Sequence, residues 1–185
     1  MIDSMRIYQK AMALSKKYHT KDPQGIAEAM GIFVSDTLDS RNLLGMYFYK
    51  WRSRCIFLHP GLEPHVRKCI IAHELGHDQF HRRESKSGAM REYTLFRMND
   101  QMEYEANAFA SHLILDTDET MEQIREGATA VEIAQKACVD INMVLIKVEE
   151  LRKLGYDLRV PGETNGSFLR KLSPDFGKDP ESSNV

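Results

Sequence analysis

The pentapeptide His73-Glu74-Leu75-Gly76-His77 constrains this chain more than any other feature. Its two imidazoles can act together only if the backbone between them is helical, because residues four apart then lie one above the other on one face. Ile70, Ile71 and Ala72 make the preceding turn apolar, which places this helix in the interior. Two buried imidazoles are costly unless both are satisfied. A divalent ion satisfies both at once. Zinc accepts neutral imidazole nitrogen and, in catalytic sites, takes three protein ligands and keeps a fourth position open for water. Glu74 follows the first histidine, where it reaches that water rather than the metal. Gly76 sacrifices helix propensity, as expected where another element comes close. The bland alternative is a pair of histidines hydrogen-bonded in a core.

A third ligand has to come from elsewhere. His81 lies a further turn along the same helix and would stretch the site into a line instead of closing a tetrahedron. No HExxHxxGxxH extension is present, so the metzincin pattern fails. The segment Gln101-Met102-Glu103-Tyr104-Glu105-Ala106-Asn107-Ala108-Phe109-Ala110 is the better source. Glu103 shares a face with Ala106 and Ala110, a surface of small residues suited to packing, and a carboxylate there needs a strong partner. Glu105, on the face of Phe109 and His112, is the runner-up. A solvated acidic helix start is the competing reading and suits Glu105 better than Glu103.

Around these helices the chain reads as α+β. Helical spacing runs from Met5 to Tyr18, and Asp22-Pro23 opens a short helix to Met30. Ile32–Val34 is a candidate strand. Gly45–Trp51 and Arg54–Leu58 form a hairpin turning near Arg52-Ser53, which predicts a small antiparallel sheet. The zinc-motif helix is expected over about 63–81, then a charged loop over 82–94 and a second helix over about 100–115. Asp116 and Asp118 cap a weaker helix. Thr129 and Glu132 fit a capping box, and Asp140 caps a last helix ending near Gly155. From Pro161 onward Gly, Ser, Pro and Asn predict a flexible tail.

A length of 185 residues fits one domain with a small appendage. The formal net charge of −2 excludes a broadly basic nucleic-acid-binding surface. Cys55, Cys69 and Cys138 are scattered and form no CxxC pair, so free thiols in a reducing compartment are expected. No apolar run spans a bilayer and no signal-peptide core is present. Together these readings predict a cytoplasmic protein.

The chain resembles the ImmA/IrrE metallopeptidases. The likeness rests on Cys55-Ile-Phe-Leu58, then Ile70-Ile-Ala-His-Glu-Leu-Gly-His77, then Glu103-x-x-Ala-Asn-x-Phe-Ala110, and last a helix-turn-helix-like segment, Val131–Leu151. It covers roughly residues 3–155. The resemblance implies a gluzincin-type site with His73, His77 and Glu103 as zinc ligands and Glu74 as the catalytic group. It implies a minimal zincin-like domain, mostly helical, over 1–127. A helix-turn-helix-like segment over 128–158 would pack on it, with a flexible tail over 159–185. It further implies cleavage of a helix-turn-helix repressor of a mobile element or stress response. Where the family often has, after the equivalent of Phe109-Ala110, an apolar stretch ending in Met-Pro, this chain reads Leu113-Ile-Leu-Asp116.

The expected chemistry is zinc-assisted hydrolysis of a peptide bond in a protein substrate. Tyr93, Tyr104, His81 and His112 are candidate oxyanion donors, each equally able to be structural. The strand Gly45–Trp51 is a candidate edge on which a substrate could add as an extra strand. In the segment after Val131, Lys136, Lys147, Arg152 and Lys153 are offset by Glu132, Asp140, Glu149 and Glu150, which favours packing or repressor docking over direct DNA binding. The rival to an enzyme is a regulator in which zinc merely stabilises a module that binds a transcription factor or DNA. Ligands of this type also hold manganese, cobalt or nickel.

Overall fold

The computed structural model describes residues 2–38, 43–86, 90–92 and 101–161. Helix α1 (Ser4–Tyr18) is capped by Asp3, whose side chain accepts from the Arg6 amide, and it buries Ile7, Ala11 and Leu14. Helix α2 (Pro23–Ala29) starts on Asp22 with proline in its first turn. Strands β1 (Phe33–Ser35), β2 (Gly45–Lys50) and β3 (Ser53–Leu58) precede the long helix α3 (Pro64–Phe80). A short 3-10 turn (Glu84–Lys86), strand β4 (Met90–Glu92) and helix α4 (Gln101–Ile114) follow. The chain then forms α5 (Thr117–Arg125), α6 (Ala130–Ala137) and α7 (Ile141–Lys153).

The α+β class is borne out, with two corrections to the sheet. The strand order is β1-β3-β2-β4. Strand β1 runs parallel to β3, so the sheet is mixed rather than antiparallel. Strand β4 lies in the segment expected to be a loop, and it pairs with β2 from Gly45↔Glu92 to Tyr47↔Met90. Three residues are too few to display the alternation that marks a strand. Strand β2 is therefore an inner strand over Gly45–Tyr47, and the expectation of a free substrate-binding edge there is overturned. The tail expected from residue 159 falls, beyond Pro161, outside the described residues.

Strands β2 and β3 turn through Trp51 and Arg52, both with positive φ (51° and 63°). A two-residue hairpin demands that conformation because only then does the turn match the twist of the strands. On the inner face, Tyr47 lies opposite Ile56, and both are fully buried against the helical layer. Helix α4 is the centre of that layer: α3, α1 and α7 all pack on it.

The capping box at Thr129 and Glu132 is formed in both directions, and Asp140 caps α7 by accepting from the Asn142 amide. Residues 143–148 of α7 are all buried. A DNA-reading helix needs an exposed face, and α7 spends its surface on packing. Its buried Lys147 donates to His112 Nδ1 (3.0 Å) and Thr117 Oγ1 (2.9 Å). Buried Glu150 accepts from Tyr104 Oη and from Lys153 Nζ.

This cluster carries a pH signature. Burial pushes the Lys147 ammonium down to about 7 from 10.5. Burial, then Lys147, holds His112 down at about 2 from 6.5. Between pH 6.5 and 2 the unfolded chain holds a proton on His112 that the native chain lacks, and the same is true of Lys147 between about 7 and 10.5. Stability is therefore expected to fall as pH drops below 6.5 and to rise from neutrality toward pH 10. Burial raises the phenols of Tyr47 and Tyr104, which reverses the slope above that. Urea midpoints at about pH 5, 7 and 9 should increase in that order. A maximum at pH 7 would contradict this account.

Candidate metal centre

The closest approach of two helices builds the site. A Cβ added at Gly76 would sit 2.7 Å from Ala106 Cα and 3.0 Å from Ala106 O, so α3 and α4 meet there almost backbone to backbone. That contact brings His73 and His77 of α3 to Glu103, one turn before Ala106 on α4. His73 Nε2 and His77 Nε2 are 3.0 Å apart. Glu103 Oε2 lies 3.3 Å from the first and Glu103 Oε1 lies 3.5 Å from the second. Ligands on a tetrahedral zinc at about 2.0–2.1 Å are separated by roughly 3.3 Å, so the donor set fits one divalent ion. Both imidazoles are buried, while the Glu103 side chain keeps 17% of its surface, which leaves one side of the triad open. Burial, followed by the neighbouring His73 and His81, pushes His77 well below the usual imidazole range. Its neutral form is the one that binds metal.

Each imidazole is held from behind. His73 Nδ1 meets Asn107 Oδ1 at 2.8 Å. His77 Nδ1 meets His81 Nδ1 at 3.0 Å, and His81 Nε2 meets Glu105 Oε2 at 3.1 Å. With both Nδ1 atoms engaged, both Nε2 atoms are turned toward Glu103. Sequence reasoning assigned Asn107 no role. Its position four residues after Glu103, on the same face of α4, was the available signal.

Glu74 is fully buried on the face of α3 turned toward the sheet. That face is in register with β2. Gly45 stands beside Glu74: a Cβ there would lie 2.9 Å from Glu74 Oε1 and 2.4 Å from Ile70 Cγ2. Tyr47 donates to Asp78 Oδ1 at 2.7 Å. The Arg82 guanidinium lies 5.8 Å from the Tyr49 ring centroid. Alternate strand residues thus meet positions four apart, two on α3 and one just past its end, which is possible because two strand residues advance by about 6.8 Å and four helical residues by about 6 Å. Asp78 is fully buried and also accepts from Gln79 (2.7 Å) and Arg82 (2.8 Å). It anchors α3 to the sheet one turn beyond Glu74.

The IrrE N-terminal-like domain of the peptidase M78 family matches residues 17–149. The chain belongs to the peptidase M78 family. Membership supports a metallopeptidase-type function, and the triad of His73, His77 and Glu103 lies inside the matched region. The M78 chain is also 37% identical over 102 residues to "Uncharacterized immunity region protein 2" of Bacillus phage phi105. That match covers 55% of this chain and 63% of the phage protein, so it spans less than two thirds of that relative.

Within this M78 site, two of the candidate oxyanion donors are committed elsewhere. Tyr104 points to α7, where it donates to Glu150 and accepts from Lys153. His112 sits in the Lys147 cluster with its ring against Tyr8. His81 is engaged by His77 and Glu105, and Tyr93 lies outside the described residues. No described helix is long and apolar enough to cross a membrane.

Proposed function

We propose that this chain is a zinc-dependent endopeptidase that cleaves a helix-turn-helix repressor, with His73, His77 and Glu103 as zinc ligands and Glu74 as general base. The convergence of His73 Nε2, His77 Nε2 and the Glu103 carboxylate on one point carries this reading. When bound, zinc would polarise the scissile carbonyl and acidify a water. Glu74 takes the proton of the attacking water on its carboxylate and passes it to the leaving amine nitrogen. Its confinement beside Gly45 restricts the directions in which that carboxylate can turn. The resemblance to a phage immunity region protein supports a repressor as substrate. Residues 1–127 form the peptidase unit in this reading. The segment 128–158, in which α7 packs on α4 and α6 packs on α7, is an appended element suited to protein docking rather than to DNA.

The test is metal content and proteolysis on the same preparation. The expected result is one zinc per chain and a single cut in a repressor encoded beside this gene. Chelation should abolish cleavage and added zinc should restore it. Protein purified without chelator that holds no zinc, or cleavage indifferent to chelation, would overturn the proposal.

A further inference from the structure

We infer that His81 and Glu105 are positioning residues that lock His77 into the one tautomer able to hold a metal. The inference rests on the metal-site reading above and adds to it two residues that are not themselves ligands. An ionised carboxylate can only accept a hydrogen bond, and that of Glu105 stands at the acidic end of a chain of contacts leading to His77. It lies 3.1 Å from His81 Nε2, so that nitrogen carries the proton and donates. In the neutral form of His81 that is its one N–H, so its Nδ1 is left as an acceptor. Its partner at 3.0 Å is His77 Nδ1, which therefore donates. The lone pair of His77 is thereby placed on Nε2, 3.5 Å from Glu103 Oε1.

With one proton on His81, the polarity of the relay is set from its Glu105 end. His73 differs: its Nδ1 faces Asn107, and an amide that turns over offers a donor instead of an acceptor. The two ligand imidazoles are thus held by unequal devices, one anchored to a charge and one to a rotatable dipole.

The local structure suits this role. His81 is the C-cap of α3 with φ −120°, outside the helical range, while its amide still donates to His77 O. Leaving the helix there lets the ring fold back behind His77 rather than continue the line of His73 and His77. The His77 and His81 ring centroids are 5.1 Å apart, and His81 is 3% exposed. On α4, Gln101 donates to Glu105 Oε1 at 2.7 Å, which leaves Oε2 for His81. Glu103 and Glu105 therefore serve opposite ends of one ring, the first at Nε2 of His77 and the second, through His81, at Nδ1.

The experiment compares wild type with Glu105→Leu, which removes the acceptor, and Glu105→Gln, which keeps an oxygen acceptor without the charge. Glu105 is only partly buried on α4, and urea unfolding of each variant verifies its fold. Two readouts need no substrate: the tautomer of His77 in metal-free protein, by long-range proton–nitrogen NMR, and zinc affinity, by chelator competition. Wild type is expected to hold His77 in the Nδ1–H form. Glu105→Leu should populate the other tautomer and weaken zinc binding by about 10–100-fold, and Glu105→Gln should recover most of that loss. A wild-type His77 in the Nε2–H form would overturn the inference, as would a folded Glu105→Leu with unchanged tautomer and affinity. So would Gln and Leu variants that are equally impaired. Wild-type protein that shows the Nδ1–H form but binds no zinc would instead overturn the metal-centre reading.

Discussion

Glu74→Gln is expected to keep the full metal content and to lower peptide hydrolysis by about 10²–10⁴-fold, the usual contribution of a positioned acid–base group. Glutamine has nearly the shape of glutamate, so it fits the buried space between α3 and Gly45. The triad atoms belong to His73, His77 and Glu103 and are untouched. What is lost is the ability to accept and return a proton. Single-turnover cleavage together with metal analysis separates the two effects. A regulator that uses the metal only for stability has no need of Glu74. Its glutamine variant would match wild type in every assay, and activity within tenfold of wild type would remove Glu74 from the mechanism. Gly45→Ala provides a second approach to the same carboxylate. The new methyl would lie 2.9 Å from Glu74 Oε1 and 2.4 Å from Ile70 Cγ2, so both contacts must give, and reduced hydrolysis with metal retained is the expected sign that Glu74 has moved.

What the sequence revealed and what it hid follow from the range of the interactions concerned. The caps at Asp22, Asp116, Thr129 with Glu132, and Asp140 are contacts within two or three residues, and each forms where its local pattern predicts. The helical pairing of His73 with His77 is equally local. Glu103 and Glu105 were harder to separate, because both stand in the first turns of one helix and only the neighbouring helix tells them apart. The structure engages both: Glu103 faces the two Nε2 atoms, while Glu105 is bound to His81 rather than solvated. The pairing of Gly45, Tyr47 and Tyr49 with Glu74, Asp78 and Arg82 was illegible, since it depends on how a strand of period two lies along a helix of period 3.6. Strand β4 was hidden by its length, and with it the fact that β2 has a partner on both sides.

Gly76→Ala is the sharpest test of how the two helices make the site, because two principles predict opposite signs. In an ordinary helix interior this change stabilises by about 1 kcal/mol through propensity. At this position the new Cβ would lie 2.7 Å from Ala106 Cα, 3.0 Å from Ala106 O and 3.1 Å from Ala106 Cβ. Two of those atoms are backbone, so no side-chain rotation relieves the clash and α4 must move away from α3. Overpacking of this kind costs about 1–3 kcal/mol and sometimes more, enough to outweigh the propensity gain. Urea unfolding should therefore show a net loss of stability, and Gly76→Val a larger one. Ala106→Gly in the Gly76→Ala background should restore only part of the loss, because it removes the 3.1 Å contact and leaves the shorter two. The displacement also has a functional sign. Glu103 rides on α4 one turn before Ala106, whereas His73 and His77 ride on α3, so moving the helices apart lengthens the 3.3 and 3.5 Å separations within the triad. Metal affinity should fall together with stability, even under conditions where the variant is fully folded. A Gly76→Ala protein as stable as wild type, with unchanged metal affinity, would show that the interface can absorb a methyl group, and the reason for glycine at that position would have to be sought elsewhere.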